Sequence, residues 1–240
     1  MLVINNLNKS FGKQIVLKKF SYTFKQGKIY ALMGANGSGK TTLFNIIGNF
    51  LPVDNGNIAF KDKNIIGMPP HKVAQLGICR TFQNLRLIPS LSVVDNIYLA
   101  FKDKTDEKIT TAFFGKASRP QYQEKINQLL ITTHLDSVKN SLAKNISYGQ
   151  QKLLTLAIAM ANDFDLLLLD EPVSGVQIEY RKQISNILKQ MNKTIILIEH
   201  NAEFIQDLTD NVVFLDQGKI IAQGNYQTIK SNPQVQEAYL

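Results

Sequence analysis

The chain of 240 residues has no tryptophan, a single cysteine and no long apolar run. One cysteine cannot form an intramolecular disulfide, which excludes a disulfide-stabilised fold and favours a reducing compartment. The apolar neighbours of Cys79 predict a buried structural thiol. No apolar run approaches the roughly 18 residues of a membrane span, and the first residues lack the pattern of a signal peptide. We therefore expect a soluble, intracellular protein, for which any role at a membrane would have to come through a partner.

Composition favours an ordinary folded protein. Hydrophobic residues make up 44% and charged residues 19% of the chain, which argues against disorder. The length suits one large α/β domain or a domain with an inserted subdomain. The formal net charge of +8 suits acidic partners such as nucleotide phosphates, nucleic acid or an anionic membrane face, and equally a lysine-rich surface that only maintains solubility.

The first third of the chain has mainly strand patterns. They occupy residues 2–4, 20–24 and 58–60, and Asn55-Gly56 predicts a tight turn before the last of them. A short apolar run at 29–33 predicts a buried strand. Glycine-rich sequence follows it, and then a helical pattern runs from Leu43 to Phe50, stopped by Pro52.

The middle third of the chain has mainly helical patterns, whereas the last third alternates between strand and helix patterns. Residues 84–162 carry helical patterns after Ser92, at 121–135 and at 150–161, with a polar, solvated connector at 102–119. Farther on, apolar runs at 166–169 and 194–198 predict parallel strands buried on both faces, joined by a helix at 178–191. Residues 212–222 predict a hairpin. The pattern indicates one α/β core interrupted by a helical insertion.

A glycine-rich loop between the predicted strand and helix has the P-loop spacing of a glycine, four residues and Gly-Lys-Thr. Glycines let successive backbone N–H groups point inward at phosphate oxygens, and the helix start adds its positive dipole end. Lys40 would neutralise the β- and γ-phosphates, and the Thr41 hydroxyl would ligate Mg²⁺. The predicted nucleotide-binding loop comprises Gly34, Ala35, Asn36, Gly37, Ser38, Gly39, Lys40, Thr41 and Thr42.

Two acids, Asp170 and Glu171, follow the apolar run 166–169. The carboxyl ends of parallel strands are where open α/β sheets present ligand groups. Asp170 fits the role of a magnesium ligand, and Glu171 that of a general base for the attacking water. The P-loop alone does not distinguish kinases, GTPases and ATPases. The glutamate directly after the aspartate favours hydrolysis over phosphoryl transfer to a metabolite, so a small-molecule kinase is the weaker interpretation.

Between these motifs lies Ile146-Ser147-Tyr148-Gly149-Gln150-Gln151. It resembles the signature sequence of ABC-transporter ATPases, and nearly the whole chain follows that family's order of motifs. The resemblance implies a P-loop NTPase (RecA-like) α/β core at 1–83 and 163–240, with an N-terminal antiparallel β subdomain and a helical subdomain at 84–162. It also assigns further site residues: Gln83 senses Mg²⁺ and the membrane partner, His200 lies near the γ-phosphate, and Phe11 stacks on adenine.

In this family, the signature faces the P-loop of a second subunit. The resemblance therefore implies that Ser147, Gly149 and Gln150 bind the nucleotide held by another chain. The protein would then work as a homo- or heterodimer, with ATP and Mg²⁺ bound between the two chains. Lys40, Glu171 and His200 are the expected catalytic residues, and Thr41, Gln83 and Asp170 the expected metal ligands. Membrane permeases, and indirectly an extracytoplasmic binding protein, are the implied partners at the cytoplasmic face of a bacterial-type membrane. No nucleic-acid partner is expected.

The run from Pro70 through the residues around Gln83, the signature form SYGQQ and the ending SNPQVQEAYL resemble the ATPases of branched-chain amino-acid importers. Lipopolysaccharide-export and urea-import ATPases are alternatives, and a soluble ABC ATPase of translation or DNA repair is a third. Gln177 stands where the family usually has aspartate or asparagine. Asn201 stands where aspartate is common. Tyr148 replaces a glycine of the general signature, as is familiar in the amino-acid branch. We expect activity to persist with these residues.

Overall fold

The computed structural model describes residues 1–82, 85–101 and 120–239. By Cα packing, the chain divides into two compact units. One comprises residues 1–83, 164–174 and 188–240, and the other comprises residues 84–163 and 175–187. The sequence assigned 84–162 to a helical insertion; in the structure, residues 175–187 also pack with that segment.

All strands of the described chain lie in the first unit. They are β1 (Leu2–Phe11), β2 (Gln14–Phe24), β3 (Ile29–Gly34), β4 (Asn55–Phe60), β5 (Lys63–Asn64), β6 (Ile78–Arg80), β7 (Leu166–Asp170), β8 (Thr194–Ile198), β9 (Val212–Asp216) and β10 (Lys219–Gly224). The helices of this unit are α1 (Lys40–Ile47), α2 (Pro70–Gln75), α7 (Ala202–Leu208), α8 (Tyr226–Lys230) and α9 (Pro233–Tyr239).

The strands form two sheets. An antiparallel sheet has the order β2-β1-β4-β5, and a six-stranded sheet has the order β10-β9-β3-β8-β7-β6. Strands β3, β6, β7, β8 and β9 pair in parallel, and β10 returns antiparallel to β9 as the predicted hairpin. Every residue of β7 and β8 is buried, as their continuous apolar runs predicted. Both sheets and α1 contribute side chains to one hydrophobic core.

The second unit is helical where it is described. It contains α3 (Val93–Tyr98), α4 (Pro120–Thr132), α5 (Tyr148–Met160) and the first part of α6 (Ile178–Gln190). Buried Asn96 fastens the segment that leads into α3. Its amide donates to the carbonyls of Ile88, Leu91 and Ser92 and accepts from the Ile88 N–H group. The predicted helices are confirmed within a few residues, and the connector 102–119 lies outside the described residues.

Three local predictions were wrong. Asn55-Gly56 does not form a turn but begins β4, because Asn55 pairs with Asn8 across the sheet at an irregularity of register. Helix α1 ends at Ile47 with Gly48 as its C-cap, so Phe50 lies beyond it and is 52% exposed. Cys79 is half-buried rather than buried, in the short strand β6 near the sheet edge.

No helix among the residues described combines the length and apolar character that crossing a membrane requires.

Candidate functional site

The glycine-rich loop joins the end of β3 to the start of α1. Strand β3 ends at Gly34, and α1 begins at Lys40 after Gly39, which takes a left-handed conformation with φ +108° and no side-chain cap. The first N–H groups of a helix have no carbonyl of their own helix to bond. The loop and the helix start therefore present backbone donors and a positive dipole end in the same place, which is the arrangement of an anion site.

Two of the loop glycines are required by close approach. A Cβ at Gly34, where φ is +144°, would lie 2.1 Å from the Leu215 carbonyl oxygen. A Cβ at Gly39 would lie 2.8 Å from the Val16 carbonyl oxygen. The loop is therefore wedged between β2 and β9 and admits no side chain at these positions. Gly37 differs, since a Cβ there would meet no atom of the described part of the chain within 4 Å.

Lys40 turns back onto the loop that precedes it. Its ammonium nitrogen donates to the carbonyls of Gly34 at 2.7 Å and Ala35 at 2.9 Å. Burial lowers the pKa of Lys40, while the carboxylates of Glu171 and Asp170 act in the opposite direction. A cation held between loop carbonyls and two carboxylates lies where it can neutralise an anionic ligand of the loop.

Asp170 and Glu171 lie where the sequence predicted, at the carboxyl end of β7. Asp170 is buried, and its carboxylate lies 3.6 Å from the guanidinium of Arg80 at the end of β6. Arg80 also donates to the Asn45 side chain at 2.7 Å. Glu171 has a left-handed backbone, φ +50°, fixed by a hydrogen bond from its N–H group to the Ile198 carbonyl at 3.0 Å. Such a conformation in a non-glycine residue is common at functional sites.

His200 follows β8 in a loop held by its own neighbour. The Glu199 carboxylate is buried and accepts from the N–H groups of His200 at 2.7 Å, Asn201 at 3.0 Å and Val173 at 3.0 Å. The His200 side chain is exposed. Asn201 caps α7, because its side chain accepts from the Phe204 N–H group at 2.8 Å.

A cavity of about 240 Å³ in the first unit joins these elements. It brings together most of the P-loop with Glu171 and His200, as the order of motifs predicted. It is lined by Gln14, Val16, Asn36, Gly37, Gly39, Lys40, Thr41, Thr42, Glu171, Ile198 and His200.

Some predicted residues lie outside this lining. Phe11 ends β1, is 49% exposed as a residue, and has the Lys9 ammonium 5.5 Å from the centroid of its ring. Asp170, the last residue of β7, is buried. Gln83 falls outside the described residues, so its predicted contacts with metal and membrane partner stay predictions.

The signature residues belong to the second unit, at the start of α5. Ser147 and Gln150 form a capping box: the Ser147 hydroxyl accepts from the Gln150 N–H group at 3.2 Å, and the Gln150 side chain accepts from the Ser147 N–H group at 2.9 Å. The Ser147 hydroxyl also donates to the Tyr180 phenol oxygen at 3.2 Å. A Cβ at Gly149 would lie 2.3 Å from the Tyr180 ring. The start of α5 is thus held by its own capping box and by the side chain of Tyr180.

Several residues of these sites escaped sequence analysis. Gln14 and Val16 line the cavity from β2, and Arg80, Glu199 and Tyr180 contact predicted residues directly. No motif marks them. For Glu199 alone, a signal existed: it is an acid at the end of a buried strand, as Asp170 is.

The donor set suits a nucleotide with Mg²⁺. The Ser38 hydroxyl oxygen is buried and has no hydrogen-bond partner among the described residues. It lies in a loop that offers backbone N–H donors and the Lys40 ammonium. A phosphate oxygen would satisfy it. No cluster of three or more metal-binding side chains occurs among the described residues. Mg²⁺ bound to nucleotides needs only one or two protein ligands, since phosphates and water complete its shell, and Thr41 and Asp170 fit that requirement.

Comparison with known proteins adds independent findings. The family model described as "ABC transporter" matches residues 17–174, and that described as "Branched-chain amino acid ATP-binding cassette transporter" matches residues 219–240. The chain is 34% identical to the probable branched-chain amino acid transport ATP-binding protein LivG of Archaeoglobus fulgidus, over 100% of this chain and 95% of that one.

One further relative and one solved structure are also similar to this chain over its full length. The high-affinity branched-chain amino acid transport ATP-binding protein LivG of Escherichia coli (strain K12) is 30% identical over 100% of this chain and 97% of its own. Among solved structures, the ADP conformation of MJ1267, an ATP-binding cassette of an ABC transporter, superposes with a TM-score of 0.84 at 29% identity, covering 100% of this chain and 98% of that chain.

Proposed function

The chain belongs to the ABC-transporter ATPases, in the branch of the branched-chain amino-acid ATP-binding proteins. From that membership we propose that it powers the import of branched-chain amino acids by hydrolysing ATP. The assignment of branched-chain amino acids as the transported substrate is supported by the C-terminal residues 219–240. They lie outside the ATPase motifs and match the branched-chain amino-acid family model. The fold prediction is confirmed: a P-loop α/β core carries an antiparallel sheet and helices.

In the proposed site, the loop from Gly34 to Thr42 binds the phosphates. Its backbone N–H groups face the β- and γ-phosphate oxygens, and the Ser38 hydroxyl gains the hydrogen-bond partner that it lacks among the residues the structure describes. Lys40 leaves the loop carbonyls, or shares its three protons with them, to neutralise the phosphates. Phe11, at the exposed end of β1, stacks on the adenine ring.

Hydrolysis is assigned to the side chains that follow β7 and β8. The Glu171 carboxylate accepts a proton from the attacking water as that water approaches the γ-phosphorus. His200, across the same cavity, donates a hydrogen bond to the γ-phosphate, so this bond forms only while the γ-phosphate is bound. The bond that breaks joins the γ-phosphorus to the β–γ bridging oxygen, and Lys40 stabilises the charge that collects on the leaving ADP.

Mg²⁺ would be held by the Thr41 hydroxyl, by Asp170 and by Gln83. When bound, it neutralises charge on the β- and γ-phosphates. Arg80 lies beside the Asp170 carboxylate and would orient it.

The chain by itself carries half of each composite site, as the signature implies. Ser147, Gly149 and Gln150 at the start of α5 bind the γ-phosphate of ATP held by a second ATPase subunit. The positive end of a helix of 13 residues supports this assignment, as does a serine already fixed by its capping box. ATP binding would close two subunits, and hydrolysis would release them.

The proposed partners follow from the family. Residues 1–83 and 163–240 act as the nucleotide-binding core, and residues 84–162 act as the helical subdomain that meets membrane permeases. The chain sits at the cytoplasmic face of the membrane, and an extracytoplasmic binding protein delivers the amino acid. Asn201 leaves the cap of α7 intact, since asparagine and aspartate cap helices about equally well.

The test is amino-acid uptake in the source cell. Replacing the native gene by the Glu171→Gln variant should abolish uptake of radiolabelled leucine, isoleucine and valine, while uptake of proline serves as the control. Tagged wild-type chain should co-purify from detergent extracts with permease subunits. Undisturbed leucine uptake, with loss of urea uptake or of lipopolysaccharide export instead, would assign the chain to another cargo.

A further inference from the structure

Glu199 is a buried acid that the assigned chemistry does not use. It directly follows the last residue of β8, is 3% exposed, and has both carboxylate oxygens engaged by backbone N–H groups. One oxygen accepts from Val173 at 3.0 Å. The other accepts from His200 at 2.7 Å and Asn201 at 3.0 Å. The carboxylate therefore joins two separate loops of the first unit.

Each loop carries one proposed catalytic side chain. Val173 lies two residues after Glu171, and His200 is itself bonded through its N–H group. The first loop has a second attachment to the same strand end, because the Glu171 N–H group donates to the Ile198 carbonyl at 3.0 Å. Residues 198 and 199 thus hold the Glu171 loop at two points and the His200 loop at two.

Capping of α7 does not account for this arrangement. Asn201 supplies the cap through its own side chain, which accepts from Phe204 at 2.8 Å. The bonds to Glu199 lie upstream of the helix, in the turn that sets the direction of the His200 side chain. An ordinary helix start needs no acid at that position.

The chemistry of the acceptor is specific. A carboxylate offers two oxygens, so one can serve the Glu171 loop while the other serves the His200 loop. A glutamine of the same length has one acceptor oxygen and an NH₂ group, and that NH₂ would face an N–H donor on one of the two loops. Glutamine can therefore hold either loop but not both.

We infer that Glu199 is a positioning residue that fixes the Glu171 loop and the His200 loop to each other, so that general base and γ-phosphate contact keep one mutual geometry. The inference rests on the proposed hydrolysis by Glu171 and His200. It adds a residue that never touches nucleotide yet couples the two that do.

The experiment compares Glu199→Gln with Glu203→Gln in the full-length protein. Glu203 is an exposed acid on α7, so this control makes the same change of charge nearby. Displacement of reacting groups by about 1 Å costs about 10²-fold in rate, so we expect Glu199→Gln to lower kcat by about 10- to 100-fold. The KM for ATP should stay within about twofold of wild type, because the phosphate loop is untouched. Glu203→Gln should keep the wild-type kcat.

A double-mutant cycle separates positioning from simple loss of structure. On a His200→Ala background, Glu199→Gln should lower the remaining kcat by a clearly smaller factor, since one of the two coupled groups is already gone. The same factor on both backgrounds, or a wild-type kcat in Glu199→Gln, would overturn the inference. Wild-type protein that hydrolyses no ATP would instead overturn the proposed function on which it rests.

Glu199→Asp provides the second variant if the glutamine protein does not fold. It retains the charge but is shorter by one methylene, so it cannot reach Val173 and the His200 turn together. We expect a folded protein with lowered kcat and with faster hydrogen exchange at the Val173 amide. Full activity combined with unchanged exchange at that amide would contradict the coupling.

Discussion

The ring of Tyr180 lies directly against Gly149, so closely that a Cβ on the glycine would be 2.3 Å from the ring carbon Cδ2. The phenol oxygen of the same tyrosine accepts a hydrogen bond from Ser147. Two residues of the signature thus share one neighbour on α6. The glycine makes room for the ring, and the ring's hydroxyl orients the serine.

Gly149→Ala should therefore disturb the signature through Tyr180. Alanine raises helix propensity by roughly 1 kcal/mol relative to glycine, so the helix itself should not suffer. The methyl group displaces the ring and breaks the bond to Ser147. We expect ATPase activity of the assembled transporter to fall by about tenfold or more, with the nucleotide Kd of the separate chain unchanged.

A paired variant tests the cause. In Gly149→Ala combined with Tyr180→Ala the methyl group has space, so the double variant should be at least as active as Gly149→Ala alone. Wild-type activity in Gly149→Ala by itself would contradict the steric argument.

Glu171→Gln should separate binding from chemistry. The amide keeps the size of the side chain but cannot accept the proton of the attacking water. We expect ATP to bind with wild-type affinity, turnover to fall by about 10²-fold or more, and ATP-bound dimers to accumulate in size-exclusion chromatography. Lys40→Ala provides the contrast, since it should weaken nucleotide binding itself. Undiminished turnover in Glu171→Gln would remove this residue from the general-base role.

The two loop glycines Gly34 and Gly37 should respond differently to alanine. Both have positive φ, but only Gly34 would place a Cβ against a backbone oxygen, that of Leu215 at 2.1 Å. Gly37→Ala should cost about 1–2 kcal/mol of backbone strain. Gly34→Ala adds a clash that β9 must move to relieve, and should cost about 3 kcal/mol or more. Urea unfolding of both variants checks the order, and equal losses would show that the loop is not wedged against β9.

The buried ammonium of Lys40 predicts a pH dependence. Burial lowers the pKa of Lys40 from its ordinary value of 10.5, so above that lowered pKa the folded chain holds fewer protons than the unfolded chain. The stability contribution of this residue therefore rises with pH between the lowered pKa and 10.5. The free energy of unfolding of wild type minus that of Lys40→Met should increase over that window and be flat below it. Urea titrations between about pH 7 and 10 measure the difference. A difference independent of pH would contradict the burial argument.

The sequence predicted the parts of the fold that depend on local pattern. Continuous apolar runs marked β7 and β8, and glycine spacing marked the loop before α1, because both features have fixed periods or offsets. Short elements such as β6 and α2 gave too few residues for a period. Asn55-Gly56 had the chemistry of a turn, yet pairing with β1 made it the start of a strand.

The same limit applies to the site. Lys40, Glu171 and His200 belong to motifs, and the structure brings them to one cavity. Glu199 acts on Val173, which is 26 residues away in the chain, and Tyr180 acts on Ser147, which is 33 residues away. Such contacts depend on which strands and helices become neighbours, and neither spacing nor composition specifies that.

The left-handed backbone of Glu171 implies a conflict between folding stability and catalytic activity. A side chain at φ +50° costs roughly 1–2 kcal/mol that glycine would not incur. Glycine at this position would therefore give a more stable protein that lacks the proposed general base. Laboratory evolution that selects only for heat resistance should drift toward this inert form, and any thermostable version of this ATPase needs selection for turnover at every round.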